Sequence, residues 1–174
     1  MTGVQTCALP ISALLALDAQ VTLASAAQSR TMPLAEFITG NRQTLRKPAE
    51  ILTSVQIPRH LEDAATVFVK LGARRYLVIS IVMVAITLIA DENAAIKEAL
   101  ICVGSCSAKA VRLTELESAL AGQNIKGALS EVLRDSHLRP LSPIDDIRST
   151  ATYRNDAAKI LLERGLRTCQ EKLA

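Results

Sequence analysis

Residues 76–90 read YLVISIVMVAITLIA without a single charge, and no other segment constrains the chain as strongly. A membrane-spanning helix needs roughly 20 apolar residues, so the run is short for that role. It is rich in Val and Ile, follows Arg74-Arg75 and precedes Asp91-Glu92-Asn93, which favours a buried strand, bent or broken once. Candidate partners lie on both sides of it. Residues 64–70 (AATVFVK) read as a strand, then a loop around Gly72, and residues 97–104 (KEALICVG) as another after the Asp91-Asn93 turn. Three consecutive strands with short connections predict an antiparallel meander.

The rhythm differs on either side of this block. Residues 13–25 end in an alternation through Ala19, Val21 and Leu23; a polar turn and RTMPL at 30–34 follow, which predicts two short strands. Residues 35–39 predict a helical turn closed by Gly40, and NRQTLRKPA at 41–49 a basic loop. Residues 50–57 (EILTSVQI) alternate, with Ile51, Thr53, Val55 and Ile57 on one face of a strand that Pro58 ends. Residues 58–63 read as a linker. After Ser107 the period becomes helical. Thr114 to Glu117 and Ser142 to Asp145 read as capping boxes, with a helix carrying Leu129, Val132 and Leu133 between them. The last helix is expected at about 149–172, burying Tyr153, Ala157, Ile160, Leu161 and Leu166.

Composition excludes several function classes. Apolar residues are 49% and charged residues 21%, which argues against disorder. A net charge of +3 is too weak to mark a nucleic-acid binder. The aromatics are Phe37, Phe68, Tyr76 and Tyr153, too few for a base-stacking platform. None of the seven glycines falls in a standard phosphate-cradling loop. Cysteines 7, 102, 106 and 169 form no C-x-x-C and lie far in sequence from His60 and His137, which disfavours zinc. The expectation is four reduced thiols in a cytoplasmic chain. The first twelve residues, MTGVQTCALPIS, lack the basic start of a secretory signal and resemble translated adapter sequence, so 1–12 is expected to be a non-native leader.

No complete catalytic set is visible. Asp145 and Asp146 sit where a helix start favours negative charge, so capping outweighs acid–base chemistry. Ser105-Cys106-Ser107 lacks the frame of a nucleophile elbow, and small residues where a strand meets a helix are the simpler reading. His60 and His137 read as solvated histidines. The segment Lys70-Leu71-Gly72-Ala73-Arg74-Arg75-Tyr76 is the strongest candidate. A strand there delivers a lysine, a glycine turn, two arginines and an aromatic ring, suited to an anionic or aromatic ligand. A solvated hairpin with basic edge residues is the competing reading.

The series ALDAQVTLAS, RTMPLAEFITG, EILTSVQIP, VKLGARRYLVIS, VGSCS and PIDDIRSTATYRNDAAKILLERGL resembles the flavoprotein (medium, or M) subunit of the molybdenum hydroxylases, which include xanthine dehydrogenase and aerobic carbon monoxide dehydrogenase. The resemblance covers about residues 13–174, and KLGARRYLVIS is most similar to the xanthine dehydrogenase type. It implies an α+β fold. Residues 13–58 would end an FAD-binding α+β domain. Residues 62–174 would form a flavoprotein C-terminal domain, a three-stranded antiparallel sheet packed with a helical bundle. It implies FAD as cofactor, with molybdopterin and iron–sulfur clusters on partner subunits. Electrons would pass from the clusters of a small subunit through FAD to NAD or another acceptor, and a large subunit would hold the molybdopterin. Ile51 and Leu52 would pack on FAD, Lys70 would sit beside the flavin, and Gly72, Arg74 and Tyr76 would lie near the isoalloxazine ring. No catalytic residue, metal, nucleic acid or membrane is implied for this chain.

The family's pyrophosphate loop and a flavin-adjacent aspartate are missing from this sequence, so the chain alone is expected to bind FAD poorly and to be inactive. Two other classes remain open. One is a non-catalytic protein-interaction module without bound flavin. The other is a small enzyme using Cys102 or Cys106 as nucleophile.

Overall fold

The computed structural model describes residues 10–74 and 78–174. Residues 1–9 and 75–77, with Cys7 and Tyr76, lie outside them, as do nine of the twelve positions of the expected leader.

The N-terminal unit starts with a short helix, α1 (Ile11–Leu15), followed by β1 (Gln20–Ala24) and β2 (Ser29–Pro33). Helical turn α2 (Leu34–Phe37) leads into a small hairpin, β3 (Ile38–Gly40) and β4 (Gln43–Thr44), and then β5 (Ile51–Gln56). The main sheet has the order β2-β1-β5, all antiparallel. β1 is central, so its apolar side chains Val21 and Leu23 are fully covered. On β5 the simple alternation fails. Val55 pairs with Val21 but Leu52 pairs with Leu23, because the register slips between them. The extra residue lets Leu52 and Val55, three positions apart, pack on the same core, while Ile51 turns out to solvent at 61% exposure.

The expected linker is not free. Arg59–Leu61 form a 3-10 turn, and Leu61 is buried. The meander follows as β6 (Ala65–Leu71), β7 (Val82–Ala90) and β8 (Ile96–Gly104), extended by the two-residue β9 (Val111–Arg112). The order β6-β7-β8-β9 is antiparallel throughout. The apolar run thus splits: its end is the central strand β7, and residues 78–80 belong to the connection before it.

Helix α3 (Thr114–Leu120) and the long helix α4 (Ala151–Leu173) bracket two 3-10 turns, Leu129–Val132 and Asp135–Leu138. The helix expected around Leu129 is only such a turn: Leu129 and Leu133 are buried, but Leu133 is already extended. Neither capping box forms. Thr114 lies inside α3, and the Glu117 carboxylate is taken by Arg112 and by the Ile101 N–H at 2.7 Å. Ser142 to Asp145 start no helix. Instead, Thr150 Oγ1 accepts from the Tyr153 N–H (3.2 Å) and Asp145 Oδ1 from the Ala151 N–H (2.5 Å), so Asp145 does cap, but it caps α4 across a turn. The α4 stripe is Arg154, Ala157, Ala158, Leu161, Leu162, Gly165, Leu166 and Cys169. Tyr153 and Ile160 lie outside it and are exposed, contrary to expectation. At Gly165 an added Cβ would stand 2.7 Å from Ile86 Cδ1, so helix and sheet approach closely there.

In the four-stranded sheet β7 and β8 are covered on both faces. Val82, Val84, Ile86 and Leu88 of β7 pack in the core shared with α4, whereas Ala85 and Cys102 join the core of the N-terminal unit. Two polar ties reinforce that junction. Arg112 Nη1 donates to the Leu15 carbonyl (3.3 Å), and Lys109 Nζ to the Ile38 carbonyl (2.8 Å).

Candidate functional site

Strand β6 alternates, so Thr66, Phe68 and Lys70 share its outer face and are exposed. Lys70 pairs in register with Met83. Its ammonium donates to the Val78 carbonyl at 2.8 Å, across the connection between β6 and β7. An ammonium has three N–H donors, so two are left for another partner. The connection is closed at its base by the Ile81 N–H on the Leu71 carbonyl (2.8 Å). Gly72 is required there, because a Cβ would collide with Val78 Cγ1. Arg74 is exposed in the same connection. The structure therefore gathers Lys70, Gly72 and Arg74 at one sheet end. Ile51 and Leu52 stand on the other sheet, Ile51 exposed and Leu52 half-buried.

A cleft of about 450 Å³ opens where α1, the β3–β4 turn and the segment after β8 meet. Its lining includes Ser12, Arg42, Phe68, Met83 and Lys109, with Ser105 and Ser107 of the candidate turn, and none of the described residues that the resemblance assigns to the flavin. Phe68 is 51% exposed, unusual for a large apolar ring. In the sequence it stands only as one of four aromatics, inside the strand expected at 64–70. Gly104 lets α1 sit against the sheet beside this cleft, since a Cβ there would meet Ser12 Oγ.

A second arrangement holds the β6–β7 connection from behind. Arg154 is 1% exposed on α4. Its Nη1 donates to the carbonyls of Ile81 (2.7 Å) and Ser105 (3.0 Å), and its Nη2 to Asp146 Oδ1 (2.8 Å). Arg148 Nε donates to Asp146 Oδ2 (2.9 Å) and its Nη1 to the Ser80 carbonyl (3.2 Å). Hydrogen bonding from Arg148 foremost, with Arg154 adding to it, holds the Asp146 carboxyl far below the usual carboxylate range despite partial burial. Nothing in the hydrophobic pattern marks Arg154; it falls on the buried stripe as if it were apolar.

The remaining candidates resolve as structural. Cys102 and Cys106 are fully covered, and burial pushes their thiols up to about 12 and about 11. A nucleophilic thiolate needs the opposite shift, so the cysteine-enzyme reading fails. The Ser105-Cys106-Ser107 turn, with Ser105 at φ +66°, is tied to Ser142: the Ser142 N–H donates to the Cys106 carbonyl and to Ser107 Oγ, both at 3.0 Å. His60 Nε2 lies 3.2 Å from Glu98, and His137 Nδ1 accepts from the Arg134 N–H at 3.1 Å. Among the described residues there is no acidic, histidine or cysteine cluster suited to a metal, and no helix long and apolar enough to cross a membrane.

With this geometry in view, comparison with known proteins is specific. Residues 67–169 match the CO dehydrogenase flavoprotein C-terminal domain, and residues 8–60 match the FAD binding domain in molybdopterin dehydrogenase. The chain belongs to the flavoprotein-subunit family of the molybdenum hydroxylases. Among curated proteins it is 29% identical over 150 residues to the glyceraldehyde dehydrogenase medium chain of Sulfolobus acidocaldarius, covering 85% of this chain and 52% of that one. It is 27% identical over 153 residues to the 6-hydroxypseudooxynicotine dehydrogenase complex subunit alpha of Paenarthrobacter nicotinovorans, covering 88% and 51%. The chain thus spans about half the length of the curated relatives it matches. Two solved structures share its fold. The CO dehydrogenase of Hydrogenophaga pseudoflava lacking its Mo-pyranopterin moiety superposes with a TM-score of 0.85 at 20% identity, covering 94% of this chain and 56% of that one. Quinoline 2-oxidoreductase of Pseudomonas putida superposes with a TM-score of 0.77 at 22% identity, covering 96% and 57%. The α+β expectation holds, with one short strand more in the second sheet.

Proposed function

We propose that the chain is part of the FAD subunit of a molybdopterin-dependent, xanthine dehydrogenase-like hydroxylase or dehydrogenase, in the cytoplasm. It relays electrons from iron–sulfur clusters through FAD to NAD or another acceptor, beside an iron–sulfur small subunit and a molybdopterin large subunit. The observation that carries this reading is the order of the two family matches, FAD-binding at 8–60 and flavoprotein C-terminal at 67–169, in one chain. Residues 13–58 and 62–174 are assigned to these two domains.

The residues present fit a flavin. The exposed aliphatic side chain of Ile51 offers a surface for a flat ring, while Leu52, packed in the core behind it, holds the strand that presents it. Lys70 offers two N–H donors and a positive charge, which favours a ring carbonyl and the negative charge of a reduced flavin. Gly72 keeps the connection close to Val78, and with it the carbonyl that orients Lys70. Arg74 and Tyr76 are assigned to the ring's surroundings. FAD supplies the electron-carrying chemistry, accepting and releasing electrons singly or in pairs. The chain's own contribution is to bind and orient the ring and to keep a cation beside it.

Titrating FAD with the chain while following flavin fluorescence tests this. Saturable quenching that weakens in Lys70→Met supports it, with weak affinity expected for a chain about half the relatives' length. Flavin fluorescence untouched by the chain would point instead to an interaction module without flavin. No electron transfer is expected from the chain alone.

A further inference from the structure

We propose that Asp146, Arg148 and Arg154 form a latch that positions Lys70, making Arg154 a positioning residue of the flavin site although it lies buried on the far side of the sheet. The inference rests on the reading of Lys70 as a flavin neighbour, but its geometry stands apart from it.

The chain of contacts is continuous. The Asp146 carboxylate holds both guanidinium groups. Arg148 and Arg154 then grip the carbonyls of two successive residues, Ser80 and Ile81, at 3.2 and 2.7 Å. These residues end the connection in which the Val78 carbonyl, two positions earlier, accepts the Lys70 ammonium at 2.8 Å. The other end of that connection is fixed by the Ile81 N–H on Leu71, next to Lys70 in β6. The Ser105 carbonyl gives Arg154 a third anchor, tying the end of β8 to the same point.

The chemistry suits a locator. A buried guanidinium has a rigid, planar fork, so it can hold three acceptors in fixed directions. Lysine at the same place would reach at most part of this set with a flexible stem. A latch used only to stabilise the fold has no need of charged groups, since replacing a buried ion pair by apolar residues is often neutral. Arg154 Nε, buried without a hydrogen-bond partner, adds to the cost of keeping this residue. A fixed carbonyl at Val78 leaves Lys70 with one N–H committed and two available. Releasing Ser80 and Ile81 would let that carbonyl move and the ammonium with it.

The test separates the latch from the flavin. The full chain, without FAD, is labelled by reductive methylation, and the rate at Lys70 is read by peptide mass spectrometry against the other lysines. In Arg154→Lys and Asp146→Asn, and in the half-exposed Arg148→Ala should either not fold, the Lys70 rate is expected to rise about fivefold, as for loss of one hydrogen bond. Circular dichroism should be unchanged. With FAD added, each variant should weaken flavin quenching as Lys70→Met does, and combining it with Lys70→Met should add nothing. Folded variants with an unaltered Lys70 rate overturn the latch. A raised rate in variants whose flavin response matches the parent, with Lys70→Met equally silent, upholds the latch and overturns the flavin reading of Lys70.

Discussion

The two sheets of this molecule differ in how they are covered. The C-terminal sheet has its own core: β7 and β8 are buried on both faces, with α4 on one side and the N-terminal unit on the other. In the N-terminal sheet only the central strand carries fully buried side chains, Val21 and Leu23, and β2 and β5 alternate between half-buried and exposed positions. Its core is completed by Ala85 and Cys102, which belong to the other sheet. One region can organise itself, and the other leans on it. Local stability follows buried apolar contact, so the N-terminal unit should open first.

The sharpest break of this asymmetry is Leu162→Ala, at a fully buried position of α4. It should cost about 2–5 kcal/mol, and urea unfolding should show both regions lost together. Leu23→Ala, in the centre of β1, removes a side chain of the same size from the dependent region. Its cost should lie near the low end, about 2 kcal/mol, because the site collapses more easily. Hydrogen exchange should quicken over 20–56 and stay slow over 82–104; equal acceleration in both would refute the ranking.

The buried thiols sharpen the same comparison kinetically. Cys102 lies at the junction, while Cys169 is on the buried face of α4, its thiol pushed up to about 11 by burial. Both should be slow toward a thiol reagent, but in Leu23→Ala only Cys102 should accelerate.

Acid should act on the N-terminal unit through Glu50. Its carboxylate takes Arg30 Nε at 2.8 Å, Arg30 Nη2 at 2.9 Å and the Lys47 N–H at 2.7 Å. The Arg30 hydrogen bond foremost, then that of the Lys47 backbone, lowers the carboxyl from 4.5 to about 2. A depressed pKa contributes stability that is complete above the ordinary value and is lost as pH falls through the folded one. The melting temperature should therefore drop between about pH 4.5 and 2, and Glu50→Gln should flatten that limb. The smallest effect belongs to Ile51→Ala. Its exposure predicts a stability change within about 0.5 kcal/mol, while flavin quenching weakens.

Periodicity made the strands readable. β1, β2, β6 and β8 lie within a residue or so of their expected bounds, because a period of two in apolar residues has few other solutions. It failed where tertiary contacts override the local pattern. Leu52 and Val55 face one core only through a bulge that β1 imposes. Glu117 looks like half a capping box, yet Arg112, from a strand, claims it. Lys70 and Gly72 were legible as candidates by residue type, but the exposure of Phe68 was not, since it depends on what fails to cover β6.

By itself, the sequence determined the strand-rich centre, the long final helix and the family, because burial periodicity and the order of short motifs are written locally along the chain. Only the tertiary structure decided which face each strand turns to, and that Arg154, placed like an apolar residue, is the anchor behind Lys70. A buried charge is tolerated only where its acceptors converge, and the carbonyls of Ile81 and Ser105 and the carboxylate of Asp146 meet only once the chain has folded.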